Sequence, residues 1–458
     1  MAPMSPTYFV FAGIACLLYW LCAPSRRLRM AALLLANLFF LARFGLFYPV
    51  LITAAATTDY LVGLGLQAAS KPRVGIRRFL LSISLLVNLG LLVGAKCVPL
   101  ALSAKYAWIF PLSLSFYCFQ SLTYTIDAYR GDGETTRSYL AHLTSTSLFV
   151  VIIAGPINRL SGLIKQLERP FQLTKADGGR AMLLIGVGLV KKLLIADYLA
   201  DNLVNRVFDT PTLYSGAEVL IGVFGYALQL YYDFSGYTDI AMGVGQFFGL
   251  QLPDNFNRPY LSVSVIEFWK RWHITFSRWL MEYLYFWALP SSRKWKPWAY
   301  INSVITMILG GLWHGLTWNF AIWGLLHGSA LAVVRLFQTW RGRRTPTLLG
   351  TWLSTALTFV FVCFAWVFFR AATVKEAWAV LGRIASMTYS VSNITQPMVG
   401  VLSVAVVFCV LPKTWYSRLE DYFGRAPFVV QGAALAGIVI ALQFLAGRGS
   451  VPFVYSNF

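Results

Sequence analysis

The sequence predicts an all-α, polytopic integral membrane protein. Of the 458 residues, 58% are hydrophobic and only 12% are charged, whereas soluble domains carry about 25% charged residues. The mean hydropathy is +0.63, and long apolar runs recur along the chain, among them 8–21, 79–95, 352–369 and 399–411. Several runs are shorter than the ~20 residues that a straight helix needs to cross the hydrocarbon core. We therefore expect roughly eleven to thirteen transmembrane or re-entrant helices.

The N-terminal part is predicted to consist of helices joined by basic loops. Arginine and lysine cluster at 26–29 and 71–78, and the segment 30–69 between them can hold two spans. Because cytoplasmic loops are enriched in these residues, we predict that both clusters face the cytoplasm and that the N-terminus lies outside. The first apolar segment lacks a basic n-region and a cleavage site, so we expect a retained helix and not a signal peptide.

The net charge of +20 follows from such loops. It predicts contact with membrane lipid, whose anionic headgroups basic loops can hold, and not with nucleic acid. The polar stretch 159–180 predicts an interfacial helix and loop on the cytoplasmic side. Nothing in the sequence marks a boundary between soluble domains, so residues 1–458 are predicted to form a single membrane-embedded domain.

A polar island occupies residues 229–239. It places Asp233, Asp239 and three tyrosines, including Tyr237, within an apolar segment. Carboxylates at membrane depth need partners and often mark the path of a substrate. We therefore predict that Asp233 and Tyr237 line a polar tunnel and bind substrate.

Segment 254–285 is unusually polar for its surroundings. Ser264 and Glu267 have the spacing of a capping box, and Glu267 and Arg271 are four residues apart, as an ion pair along a helix requires. On the same helix Trp269 and His273 would share a face. A helix with this many charges cannot face lipid, so it should lie at the interface or line a cavity with His273 pointing inward. Neighbouring polar and aromatic residues are the candidates for substrate binding: Asn255, Arg271 and Trp272.

Half of the protein's 4 histidines, His314 and His327, lie in the glycine- and tryptophan-rich segment 310–328. Imidazole is the side chain best suited to move a proton near neutral pH. Flanking glycines allow close approach, and Trp313 provides a flat wall for a substrate. His314 and, with it, His273 in the polar segment described above are therefore candidates for a catalytic role.

A buried histidine bonded to a backbone carbonyl remains the alternative for both, and it is the favoured interpretation for His327 and His142. No histidine pair has the i, i+4 spacing of a zinc site, and the six cysteines show neither metal-ligand nor disulfide spacing, so no metal is predicted.

Together these motifs resemble the membrane-bound O-acyltransferase family, and within it the proteins of bacterial exopolysaccharide acetylation. The most specific are residues 255–260 (Asn-Phe-Asn-Arg-Pro-Tyr), 267–274 (Glu-Phe-Trp-Lys-Arg-Trp-His-Ile) and 310–315 (Gly-Gly-Leu-Trp-His-Gly). Further matches occur in the family's order at 111–117, 127–131, 153–156, 190–192 and 231–237. The resemblance covers roughly 111–328, which would be the catalytic core.

The resemblance implies a helical bundle around a central tunnel, in the bacterial inner membrane. His314 would be the active-site histidine and His273 the second active-site position. Acetyl-CoA would be the acyl donor, as a substrate and not as a tightly bound cofactor. The acceptor would be met on the other side, on a partner protein or on the polymer, beside a polysaccharide synthase or export complex.

After Tyr285 the chain departs from relatives that act on alginate, at residues 286–293, so the polysaccharide is left open between alginate, cellulose and others. Two alternatives remain at this point. One is transfer of another acyl group, such as D-alanine to a cell-envelope polymer. The other is a membrane transporter or flippase, although the sequence shows no internal repeat of the kind found in many transporters.

Overall fold

The computed structural model describes residues 5–69, 71–101, 113–285, 296–342 and 347–445. Within these ranges the chain is predominantly helical and contains no β-strand. A helix satisfies its own backbone hydrogen bonds, which a lipid environment cannot do. The predicted all-α class is confirmed. The departure at 286–293 lies outside the described residues, as do residues 111 and 112 of the first family motif.

Helices dominate the chain up to the polar island. They are α1 (Pro6–Leu21), α2 (Arg26–Ala42), α3 (Phe47–Ala68), α4 (Val74–Ala101), α5 (Ser113–Arg130), α6 (Tyr139–Thr146), α7 (Leu160–Glu168) and α8 (Lys175–Leu189). Beyond α8 the helix alternates between π-helical stretches (Val190–Ala196, Ala200–Val204) and the short helices α9 (Asp197–Leu199) and α10 (Asn205–Asp209). A 3₁₀ turn (Pro211–Leu213) leads into the long helix α11 (Gly216–Phe247).

The elements of the motif-rich region are short. A 3₁₀ turn (Pro259–Leu261) precedes α12 (Val265–Arg271), α13 (Ile274–Trp279) and the π-helical segment Leu280–Tyr285. Longer helices follow: α14 (Lys296–His314), α15 (Trp318–Arg341), α16 (Leu348–Arg370), α17 (Val374–Ala385), α18 (Gln396–Val410), α19 (Lys413–Arg425) and α20 (Phe428–Leu445).

Among the described residues, four helices are long and apolar enough to cross a membrane: Phe47–Ala68, Val74–Gly94, Trp318–Trp340 and Leu348–Arg370. The sharply bent pair α18 and α19 could form a fifth span, and Pro6–Leu21 and Phe428–Leu442 are shorter apolar helices. The multi-pass prediction is confirmed. Straight spans nevertheless account for only part of the expected eleven to thirteen segments, because the others are short, bent or polar.

Contacts divide the chain into two compact units. The first comprises residues 1–186, 237–253 and 419–435, and the second comprises 187–236, 254–418 and 436–458. In the first unit, the buried carboxylate of Asp59 on α3 accepts hydrogen bonds from Ser84 and Asn88 on α4 and from Ser121 on α5. In the second, the core is an aromatic cluster centred on Trp272, Trp323 and Trp366. A single domain over 1–458 stays a prediction.

Candidate active site

The predicted polar helix is present but interrupted. Ser264 caps α12: its hydroxyl accepts a hydrogen bond from the Glu267 amide at 3.2 Å, while the Glu267 carboxylate accepts one from the Val263 amide at 2.9 Å. This confirms the capping prediction. The helix then ends at Arg271, and His273 has φ 42° and ψ 55° before α13 begins at Ile274. The expectation that Trp269 and His273 share one helix face is therefore wrong.

The backbone at His273 is left-handed, which is costly for a residue other than glycine, by about 1–3 kcal/mol. Such conformations persist only where the surroundings enforce them, and they concentrate at functional sites. Here the loop at Asn255 supplies the restraint, because the Asn255 carbonyl accepts a hydrogen bond from the Ile274 amide at 2.9 Å. The break between α12 and α13 thus turns the histidine out of helical register and holds it there.

Asn255 also determines which ring nitrogen of His273 carries the proton. Asn255 Oδ1 accepts hydrogen bonds from the amide of Thr275 at 3.2 Å and from its hydroxyl at 2.7 Å, and it lies 3.2 Å from His273 Nδ1. An atom that receives a backbone N–H must be an oxygen, so Nδ1 of the imidazole is the donor and Nε2 carries the lone pair. Burial lowers the pKa of His273 to about 3, which keeps the ring neutral at pH 7.

His314 is the last residue of α14 and is buried in an aromatic enclosure. Its ring centroid lies 4.9 Å from that of Phe369 and 5.4 Å from that of Trp323, both in edge-to-face geometry. Phe276, one turn beyond His273, lies 5.0 Å from the His273 ring and 6.0 Å from the His314 ring. One phenyl ring therefore contacts both predicted catalytic histidines.

The wall beside this pair is formed by Trp313 and by closely packed helices. The Trp313 indole stacks on Phe276 at 4.6 Å. A Cβ at Gly311 would collide with the Phe320 carbonyl, and a Cβ at Gly324 with the Met307 carbonyl. The close approach expected at the glycines is thus confirmed, and it is the backbones of α14 and α15 that approach each other.

A cavity of about 500 Å³ adjoins α13 and α14. Its wall includes Ile274 and Ser277 from α13, Met307 from α14, and the cationic residues Lys270, Arg278 and Arg335. Arg335 donates hydrogen bonds to the Tyr285 hydroxyl at 3.0 Å and to the Ser303 hydroxyl at 2.8 Å. The cavity thus combines apolar side chains with three cationic residues and one acidic residue, Glu282, and it lies within the size range of small-molecule sites.

The other two histidines occupy structural positions. His142 is fully buried, with Nε2 3.1 Å from the Ala56 carbonyl. His327 Nδ1 accepts a hydrogen bond from the Trp269 indole at 3.3 Å inside the aromatic core. The placement of His142 is the one expected from the sequence, a bond to a backbone carbonyl, whereas His327 is buried as expected but bonds to a tryptophan side chain. Among the described residues, no group of three or more His, Cys, Asp or Glu side chains could hold a metal ion.

A profile of the membrane-bound O-acyltransferase family matches residues 135–374. A probable alginate O-acetylase of Pseudomonas fluorescens is 33% identical over 422 residues, which cover 92% of this chain and 82% of that protein. The peptidoglycan O-acetyltransferase of Helicobacter pylori is 34% identical over 76% of this chain and 72% of its own length. The teichoic acid D-alanyltransferase of Bacillus subtilis is 27% identical over 56% and 68%.

The chain belongs to the membrane-bound O-acyltransferase family. The resemblance seen in the motifs is confirmed, and with it the interpretation of the chain as an O-acyltransferase. Membership favours this interpretation over the transport alternative.

Two further predicted residues of this O-acyltransferase lie on α12 or just beyond it. Arg271 forms the expected ion pair with Glu267, and both side chains are partly exposed. Trp272 is fully buried and stacks on Phe268 at 5.6 Å. Its contacts are those of a core residue, so the structure gives substrate binding by Trp272 no geometric support, and that role stays a prediction.

Asp233 has a cationic partner, as a carboxylate buried in a membrane protein requires. Lys192 Nζ lies 2.7 Å from Asp233 Oδ1 and 2.7 Å from Asp197 Oδ1, and all three side chains are nearly inaccessible. The triad joins α11 to the π-helical region in the second unit. Tyr237 is buried in the first unit, where it hydrogen-bonds to the backbone of Ala154.

The sequence predicts no specific role for several residues that the structure places in or near the candidate site. Phe276 and Phe369 are two of 34 phenylalanines, and nothing local distinguishes them from phenylalanines that face lipid. Thr275 follows His273 closely in sequence but becomes informative only through its bonds to Asn255. Lys192 could have been found, because a lysine beside an apolar run calls for a buried carboxylate partner.

Proposed function

We propose that this O-acyltransferase transfers an acetyl group from acetyl-CoA to a hydroxyl, for O-acetylation of an extracytoplasmic polysaccharide. The observation that carries the proposal is that two buried histidines from separate family motifs contact one ring, Phe276. The names of the relatives support the acyl group, because they include a probable alginate O-acetylase and a peptidoglycan O-acetyltransferase.

His314 acts as the general base in this proposal. It takes the proton of the acceptor hydroxyl while that oxygen attacks the thioester carbonyl. The new C–O bond forms, the C–S bond breaks, and the proton passes to the departing CoA sulfur. Trp323 and Phe369 pack around the buried His314 ring and hold it in a fixed position for this step.

His273 is assigned a positioning role. Its Nδ1 donates to Asn255 Oδ1, so its Nε2 lone pair can accept a hydrogen bond that orients the substrate. The Nδ2 group of Asn255 is buried and has no acceptor among the described residues. A buried donor beside the reacting carbonyl is suited to stabilise the developing oxyanion, and we assign that part to Asn255.

The cavity beside α13 and α14 is the proposed route of the donor. Its apolar wall suits an acyl chain and the pantetheine arm. The cationic side chains of Lys270, Arg278 and Arg335 suit the phosphates of CoA. No tightly bound cofactor takes part.

The immediate acceptor is proposed to be a serine of an extracytoplasmic partner protein or a hydroxyl of the polymer itself, within an assembly that includes a polysaccharide synthase or export complex. The proposed location is the bacterial inner membrane. The bacterial relatives and their cell-envelope or exopolysaccharide substrates support this setting.

A second candidate is D-alanyl transfer from a carrier protein. Its support is the similarity to a teichoic acid D-alanyltransferase, which extends over 56% of the chain. The chain aligns with the probable alginate O-acetylase at higher identity and over more of its length, which favours acetyl transfer.

The test uses the full chain in lipid nanodiscs with radiolabelled acetyl-CoA and a periplasmic extract as the source of acceptor. Free CoA and labelled acceptor are measured for the wild type, for His314→Gln and for His142→Gln. His142 is the matched control, since it is a buried histidine with a bond to a carbonyl only. We expect release of CoA by the wild type and the control, and a loss of at least about 100-fold for His314→Gln.

Equal turnover by His314→Gln and wild type would contradict the catalytic assignment. Absence of CoA release together with turnover of a D-alanyl carrier thioester would contradict the acetyl donor and favour the second candidate.

A further inference from the structure

The first basic cluster contributes a buried arginine to a cavity in the N-terminal compact unit. Arg29, in the first turn of α2, is only 2% exposed. Its Nη2 group donates hydrogen bonds to the carbonyls of Leu167 at 2.9 Å and Arg169 at 2.6 Å, at the end of α7. The guanidinium carbon lies 5.5 Å from the ring centroid of Tyr19 and 5.9 Å from that of Phe171.

Among the residues that the structure describes, no acidic side chain pairs with Arg29. In the part of the chain that the structure describes, no carboxylate lies within 4.0 Å of it, and its Nε is buried without a hydrogen-bond partner. Arginine does not lose its proton in proteins, and an uncompensated buried charge is strongly unfavourable. An anion bound against the guanidinium would supply both the acceptor and the countercharge.

A comparison with Arg77 shows that carbonyls can satisfy a buried arginine here. Arg77 donates to the carbonyls of Leu66, Ala69, Ala128 and Tyr129. It lines neither of the two cavities described. Arg29 differs in both respects, with fewer acceptors and a cavity beside it.

That cavity measures about 410 Å³ and is lined by Arg29 together with Lys165, Arg169, Gln166, Gln172 and Tyr19, among others; none of the described residues that line it is acidic. Gln166, another lining residue, is held in place because its Oε1 accepts a hydrogen bond from the Gln251 amide at 2.7 Å. Lys165 is paired with Glu134 at 2.8 Å, but both are exposed to solvent, where such a pair is weak. The cavity therefore has a positively charged lining, and a hydrogen bond between Gln166 and Gln251 holds part of that lining in place.

The surroundings indicate a membrane ligand. Exposed leucines, including Leu17, Leu18 and Leu21, lie next to Tyr19 along α1. The partly exposed Trp20 donates its indole N–H to the Phe247 carbonyl at 2.8 Å, and tryptophan is enriched at the level of lipid headgroups. Apolar surface for acyl chains thus adjoins a cationic cavity, and guanidinium groups bind phosphate through paired hydrogen bonds.

We propose that this cavity binds the phosphate of an anionic membrane phospholipid, with Arg29 as the buried anchor and Lys165 and Arg169 at the mouth. Basic pockets of this kind between membrane helices hold lipid headgroups in other proteins. The site lies in the first unit and is independent of the proposed acyl transfer.

The experiment titrates the delipidated full chain with phosphatidylglycerol in detergent and counts bound lipid by native mass spectrometry. Phosphatidylcholine serves as the neutral comparison, and inorganic phosphate and CoA are added as competitors. The decisive variant is the double change Lys165→Gln and Arg169→Gln, because both residues are exposed and their loss leaves the fold intact. Its matched control is Arg26→Gln with Arg27→Gln, which removes the same charge from exposed residues outside the cavity.

We expect the double cavity variant to bind phosphatidylglycerol at least about tenfold more weakly, and the control to bind it as the wild type does. Arg29→Gln should lose binding as well. If Arg29→Gln does not fold, the double variant at Lys165 and Arg169 still tests the proposal. Equal affinity of the cavity variant and the control, or equal binding of phosphatidylcholine, would overturn the proposal. If submillimolar CoA or phosphate displaced phosphatidylglycerol, the cavity would still be a phosphate-binding site, but its assignment to a lipid would be overturned.

Discussion

The contact of Phe276 with both histidines leads to a sharp prediction about how their roles combine. If His314 and His273 act on one transition state, the loss of either disables most of the same step. The perturbation is therefore a set of three variants: His314→Gln, His273→Asn and the double variant. Glutamine fills the space between Trp323 and Phe369 better than alanine, and asparagine tolerates the left-handed backbone at His273.

The magnitude follows from the assigned chemistry. Loss of a general base costs about 10²–10⁴-fold in rate, which is roughly 3–5 kcal/mol at about 1.4 kcal/mol per tenfold. If each single variant lost about 10³-fold and the two acted independently, the double variant would lose about 10⁶-fold, whereas residues that act as a unit give a loss scarcely above the larger single effect. For His314 and His273 we expect the double variant to lose scarcely more activity than the worse of the two single variants.

The assay is CoA release from acetyl-CoA by equal amounts of folded protein in nanodiscs, with the amount of each variant in the membrane checked by immunoblot. A double variant whose loss equals the product of the two single losses would refute the shared transition state. His273 would then act independently, for example in holding the loop at Asn255. Retention of more than about a tenth of wild-type activity by His314→Gln would refute its role as the base.

Three further predictions follow. Asn255→Ala should lower turnover at least about tenfold while the protein stays folded, because it removes the acceptor that sets the imidazole tautomer; CoA release and thermal unfolding together check this. Gly324→Ala should destabilise the protein by about 1–3 kcal/mol, because a Cβ there meets a carbonyl of α14, whereas Gly382→Ala meets nothing within 4 Å and should not; thermal unfolding of both decides. Single cysteines at Arg27 and Arg73, in a cysteine-free background, should react with an impermeant thiol reagent only from the cytoplasmic side; labelling from outside would reverse the topology.

Much of the membrane character and local structure was predictable from the sequence, because those features depend on neighbours along the chain. Composition predicts an all-α multi-pass protein. Capping of α12 by Ser264 and pairing of Glu267 with Arg271 follow from i, i+3 and i, i+4 spacing, which is the range over which a helix brings side chains together. The family was visible in the same way, since its motifs are short and contiguous.

What only the tertiary structure decided are contacts between residues far apart in the chain. No periodicity indicates that Phe276 meets His314, that Lys192 pairs with Asp233, or that Arg29 lies buried against the end of α7. The break at His273 belongs to the same class, because a helix-compatible segment adopts the left-handed conformation only where Asn255, distant in sequence, enforces it. Local propensity is a weak preference of less than about 1 kcal/mol per residue, and the packing of the folded chain overrides it.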